Sequence, residues 1–161
     1  MSLGLKAADY LTMLNDEYAE YKAQPLSMRK AINCCALANS LPEIVYAQYG
    51  SSNPLKVHNT TSQYAYRDYL RTQSEAHHTV RDLCDFSKHA VLDRKSVNVR
   101  TAAQQKRLEG FFQGLLALTT TREVERLIVT FRDGTEKIID EILNEAVTYW
   151  NAIFSRDGLS A

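Results

Sequence analysis

Four side chains able to exchange a proton or hold a metal recur along one segment: His78, Asp82, Asp85 and His89, at i, i+4, i+7 and i+11. At about 100° per residue they share one narrow stripe of a helix. Imidazole and carboxylate each offer a lone pair near neutral pH, so the four are candidate ligands for a divalent metal. The same residues allow a second chemistry, with His89 as a general base oriented by Asp85. The apolar arc of this helix centres near Leu83 and Ser87, almost opposite the stripe. The stripe is therefore expected in solvent unless another element or subunit covers it. Imidazoles and carboxylates one turn apart also serve as ordinary i,i+4 pairs.

A second constellation lies just upstream, in Arg71-Thr-Gln-Ser-Glu-Ala-His77, an arginine followed six residues later by a histidine. It resembles the R-x4–6-H motif of HEPN domains, small all-helical proteins that include metal-independent ribonucleases and toxin components. The resemblance spans about 20 residues. It implies that Arg71 holds a scissile phosphate and that His77, or His78, assists proton transfer, at a dimer interface. Thr72 stands where those motifs commonly carry Asn, Asp or His. The segment RDLCDFSKHAVLDR is also similar to the D-x-x-N-x-x-K-H-x-x-L segments of uncharacterised small bacterial and phage-type proteins. Asp82, Ser87, Lys88, His89 and Leu92 carry that similarity, with Ser87 out of place for the asparagine. It implies a helical fold ending in a hairpin and a helix with an aromatic such as Trp150.

Lys88, His89, Arg94 and Lys95, with Arg100, Lys106 and Arg107, form a local basic patch; Lys88, Arg94 and Lys95 are the candidate contacts for phosphate or nucleic acid. The whole chain argues against a dedicated nucleic-acid binder. Lysine plus arginine equals aspartate plus glutamate at 19 each, whereas such binders carry a basic excess that replaces phosphate counterions. Net charge near zero favours self-association instead. No P-loop, dinucleotide fingerprint, HExxH, nucleophile elbow or zinc-ribbon spacing occurs, and no cofactor is expected. The three cysteines, Cys34, Cys35 and Cys84, form neither a disulfide set nor a CxxC pair. They are expected as reduced, packed side chains. With no signal-peptide core and no run of membrane length, the expected location is cytoplasmic, without membrane association. Nine tyrosines suit interfaces.

The elements that must position these residues follow from periodicity and capping. Leu11, Leu14, Tyr18 and Tyr21 predict a helix over about Ser2–Gln24, stopped by Pro25. A second begins near Ser27, and Ser40-Leu41-Pro42-Glu43 predicts a new helix or a kink before Gly50. Segment 50–61 reads as loop. Helix resumes near Ser62, and another spans about Ala76–Leu92, with the junction at 73–76 a break or continuous helix. Ser96–Arg100 alternates as a strand does. The stretch 102–121 leans towards helix through Leu108, Phe111, Phe112, Leu115 and Leu116, against Gly110 and Gly114. Asp133-Gly134 between 126–132 and 135–139 predicts a hairpin with a two-residue type I′ turn. Asp140 is then the expected cap of a last helix ending before Gly158.

Together these predict a single domain over residues 1–161, mostly α: a helical bundle with a hairpin or three-stranded antiparallel sheet near the C-terminus. The leading functional expectation is a non-catalytic, self-associating interaction domain, its protein partner unknown. A HEPN-like ribonuclease or toxin component and a metal-binding protein are the alternatives.

Overall fold

The computed structural model describes residues 4–86, 104–111 and 121–159. Five α-helices and one small antiparallel sheet make up these residues, the mostly helical architecture that the sequence pattern predicts. Helix α1 spans Ala7–Ala23 and α2 spans Met28–Tyr49. A short 3-10 helix, Pro54–Val57, leads to α3 at Gln63–Gln73 and α4 at Glu75–Phe86. Strands β1 at Gln104–Phe111, β2 at Thr121–Thr130 and β3 at Glu136–Ile138 come next, followed by α5 at Ile139–Arg156.

Helix α1 begins later than its amphipathic pattern suggests. The Asp9 carboxylate accepts the Lys6 N–H at 2.7 Å and so closes the first turn at Lys6. Ser27 caps α2 as expected, accepting the Lys30 N–H at 3.3 Å. The Ser40–Glu43 signal does not start a new helix, because α2 continues through Pro42. Proline supplies no N–H to the previous turn, and Ser40 Oγ turns back to the Ala36 carbonyl at 2.8 Å. The helix survives because it lies at the centre of the bundle, packed against α1, α3, α4 and α5. Ala31, Cys34, Cys35, Ala38, Leu41 and Val45 are all buried along it.

The junction between α3 and α4 is a break. Ser74 is extended, at φ −146° and ψ 116°, and its hydroxyl accepts the His77 N–H at 3.1 Å. The continuation of α4 towards Leu92 and the expected strand Ser96–Arg100 lie outside the described residues.

Two expectations about the sheet are corrected. Residues 104–111 form strand β1 rather than helix, paired antiparallel with β2 from Gln104↔Ile128 to Phe111↔Thr121. Helical spacing of Leu108 and Phe111 is outweighed by this long-range ladder, and Gly110 lowers the cost of leaving the helix. Among the described residues the sheet therefore has three strands in the order β1-β2-β3. The hairpin is present at its expected place, but its loop has three residues rather than two. Phe131 N–H bonds the Thr135 carbonyl at 2.8 Å and Gly134 N–H bonds the Phe131 carbonyl at 3.0 Å. Only Gly134 takes a positive φ, +87°, and Asp133 does not, so a type I turn followed by a left-handed glycine replaces the type I′ turn.

Asp140 does not cap α5. Ile138 occupies that position without a side-chain bond, and Asp140 sits in the first turn, facing Tyr21 and Arg126. At the other end Gly158, at φ +59°, lets Leu159 N–H reach back to the Phe154 carbonyl at 3.0 Å. One apolar core joins all five helices to the sheet; Leu127 and Val129 of β2 enter it together with Trp150, Ile153 and Phe154 of α5.

Candidate functional site

Helices α3 and α4 carry the described residues singled out from sequence, and two of them, His77 and Asp82, are buried. His77 is 3% exposed. Its ring meets Trp150 edge-on at 5.3 Å between centroids and lies 6.1 Å from Tyr149. Burial, then the charges of Arg81, Arg67 and His78, hold its pKa down to about 3. His77 is thus a neutral core side chain at physiological pH. Arg71, in the last turn of α3, is 27% exposed at its side chain and lies 3.6 Å from Asp68 Oδ1. That separation makes an ion pair rather than a hydrogen bond, and Nε itself is buried without a hydrogen-bond partner among the described residues.

The expected solvated stripe on α4 is corrected. Asp82 is fully buried, 3.8 Å from His78 Nε2 and 3.9 Å from Arg81 Nη2. His78 keeps 16% of its side chain exposed and Asp85 is half-buried. None of His78, Arg81, Asp82 and Asp85 is without a partner. The apolar arc failed as a guide because α4 is covered on several sides: Ala76, Val80, Leu83 and Cys84 are buried together with His77, Thr79 and Asp82. A buried carboxylate is tolerable only with opposite charge beside it, and the Arg81 guanidinium supplies that charge. Among the described residues no three His, Cys, Asp or Glu side chains converge on a point that would hold a metal ion. His89, Lys88, Arg94 and Lys95 lie outside the described residues.

Two polar assemblies that spacing along the chain does not reveal are built between distant elements. The first lines a cleft of about 430 Å³ between α1, β2 and α5, walled by Tyr18, Tyr21, Lys22, Pro25, Arg126, Asp140, Glu141 and Asn144. Tyr21 hydrogen-bonds Asp140 and lies 3.1 Å from the Pro25 carbonyl. Arg126 Nε stands 3.4 Å from the second oxygen of Asp140. Burial, then the bond to Asp140, pushes the Tyr21 hydroxyl well above the usual phenol range. Tyr18 donates to Asn144 Oδ1 at 3.1 Å, and burial with the Asp140 charge raises its pKa as well.

The second assembly ties the loop after the 3-10 helix to the end of α5. His58 Nε2 lies 2.9 Å from Asp157 Oδ2, and Arg156 grips the same carboxylate through Nε at 2.7 Å and Nη2 at 2.9 Å. A carboxylate only accepts, so His58 Nε2 carries the proton in that bond. Burial pulls the Asp157 pKa up, but the bonds from Arg156 and His58 together pull it below the usual carboxylate value. His58 takes a left-handed backbone, φ 55°, and stacks on Tyr69 at 4.5 Å. Lys56 bonds the Gly158 carbonyl beside it.

The only local signal for either assembly is the tyrosine and charge content of α1 and α5. Their partners lie about 100 residues or more apart along the chain, 119 for Tyr21 and Asp140 and 99 for His58 and Asp157. The cysteines meet expectation: Cys34, Cys35 and Cys84 are free and buried. Among the described residues no helix is long and apolar enough to cross a membrane. Comparison with protein families, with curated proteins and with solved structures returns no match.

Proposed function

We propose that the chain is a non-catalytic helical interaction domain that associates with copies of itself, working in the cytoplasm where its thiols stay reduced. The observation that carries this reading is the pair Leu55 and Tyr64, 74% and 75% exposed on either side of the connection into α3. Burying a leucine that would otherwise stay in water gains about 1.5–3 kcal/mol, a gain available to a partner surface. Balanced charge, 19 basic against 19 acidic residues, sets no net repulsion between two copies. Light scattering on a size-exclusion column tests the reading. The wild type is expected as a dimer or larger species, and a Leu55→Ser/Tyr64→Ser variant as a folded monomer. A wild type that stays monomeric at every concentration sinks it.

A HEPN-like, metal-independent ribonuclease or toxin component is the second reading. One observation favours it: Arg67 of α3 and Arg81 of α4 both lie near enough to lower the pKa of His77, so positive charge gathers around that ring. In this reading Arg71 binds phosphate, and proton transfer falls to His78, which keeps a solvent-accessible edge that His77 lacks. Cleavage of RNA by the wild type, lost in Arg71→Ala with helicity intact, is the expected result. An inert wild type removes this reading.

A further inference from the structure

We propose that the cleft between α1, β2 and α5 is a binding site for a free α-amino acid with a large apolar side chain, held as its zwitterion. The cleft divides into a satisfied floor and a receptive rim. On the floor, Asp140 is engaged through one oxygen by Tyr21 and through the other by Arg126, so this group is a fixed part of the wall. The rim carries two opposite charges that do not pair with each other. Lys22 Nζ rests over the Tyr18 ring, 4.9 Å from its centroid, with no carboxylate in ion-pair range among the described residues. Glu141, in the first turn of α5, likewise has no cationic partner among the described residues. Asn144 accepts the Tyr18 hydroxyl at its Oδ1, which leaves its amide N–H groups for an incoming acceptor.

A ligand that satisfies this rim needs a carboxylate for Lys22 and the Asn144 amide, and an ammonium for Glu141. It also needs an apolar portion to lie along Tyr18 and Pro25. A bare anion or cation would leave one rim charge unanswered, and a volume of about 430 Å³ is far more than an ion requires. That volume falls within the roughly 300–1,000 Å³ of small-molecule sites, which combine apolar walls with a few placed polar groups. A free amino acid carries both charges on one carbon, whereas a peptide end carries only one of them.

Calorimetric titration of the whole protein with L-phenylalanine, L-phenylalanine amide and N-acetyl-L-phenylalanine tests this directly. L-phenylalanine is expected to bind saturably, and each single-charge derivative at least roughly tenfold more weakly, the size of one lost charge contact. Lys22→Met should erase the preference for phenylalanine over its amide. Glu141→Gln should erase the preference over the N-acetyl form. Both residues lie at the surface, and circular dichroism checks that each variant is folded. No saturable binding of L-phenylalanine by the wild type, or equal binding of the three compounds, overturns the proposal. So does a preference that both variants leave intact.

Discussion

His77 meets Trp150 edge to face inside the core, with ring centroids 5.3 Å apart and planes at 83°. This contact places an ionisable ring where its charged form has no water and two guanidinium groups, Arg81 and Arg67, near it.

Acid sensitivity follows from that placement. The folded pKa near 3 lies below the ordinary 6.5, so below about pH 6.5 the unfolded chain takes up a proton that the folded chain refuses. The contribution of His77 to stability is full above that pH and is lost progressively as pH falls towards 3, on the order of 5 kcal/mol over the whole window. His77→Phe keeps an aromatic ring against Trp150 and removes the titration. Urea midpoints measured from neutral pH down to pH 4 should therefore fall less for the variant than for the wild type. Parallel curves would show that His77 does not carry the effect.

The bond between Tyr21 and Asp140 joins α1 to α5 across the floor of the cleft. Hydrogen bonds to charged groups contribute about 1.5–3 kcal/mol, so Tyr21→Phe should destabilise by an amount in that range. A double-mutant cycle with Asp140→Asn isolates the pair. Coupling below the roughly 0.3–0.5 kcal/mol expected of independent sites would mean that the contact carries no stability.

Asp157 is the hub of the clamp between the 54–62 segment and α5, with 8% of its side chain exposed. Asp157→Ala removes the shared acceptor of the His58 ring and of the half-exposed Arg156 guanidinium, and should cost about 1–3 kcal/mol. Amide exchange gives the local readout. The Asn59 and Thr60 N–H groups, bonded to Pro54 and Val57 carbonyls, should exchange faster in the variant. The amides at the centre of α2 should follow global stability alone.

Thiol chemistry offers a simple probe of the core. Cys34, Cys35 and Cys84 are each at most 1% exposed, and burial pushes the Cys34 thiol up to about 12. The nucleophile is the thiolate, which the native fold both hides and disfavours. A disulfide reagent at neutral pH should label none of the three faster than the protein unfolds, and all three in urea. Rapid labelling of one thiol would reveal a local opening around it.

Legibility in the sequence tracked the range of the forces involved. Ser27 and Ser62 each announce a helix start because a cap acts within three residues, whereas the break at Ser74 stayed open in the sequence between an interruption and continuous helix. The Asp133-Gly134 pair marks the hairpin for the same reason, but the loop type was decided by the Phe131–Thr135 hydrogen bond, which requires the strands to be in register first. Gln104–Phe111 misleads because its pairing with Thr121–Thr130 is absent from any local window. Asp82 misleads in a related way: its helix has one apolar arc by composition yet is covered on several sides, which depends on the neighbours that fold over it. The cleft and the clamp were invisible as sites because their members meet only after about a hundred intervening residues have folded.

The clamp at Asp157 has a kinetic meaning. It links positions 99 residues apart without a covalent bond, so forming it early would carry a large loop-closure entropy for a few polar contacts. Docking α5 into the core beforehand shortens the free loop to the few residues around His58, and the contact then becomes cheap. On this order of events the His58–Asp157–Arg156 group is expected to close last and open first. Stabilising it should lengthen the lifetime of the native state through the unfolding rate while leaving the folding rate almost unchanged.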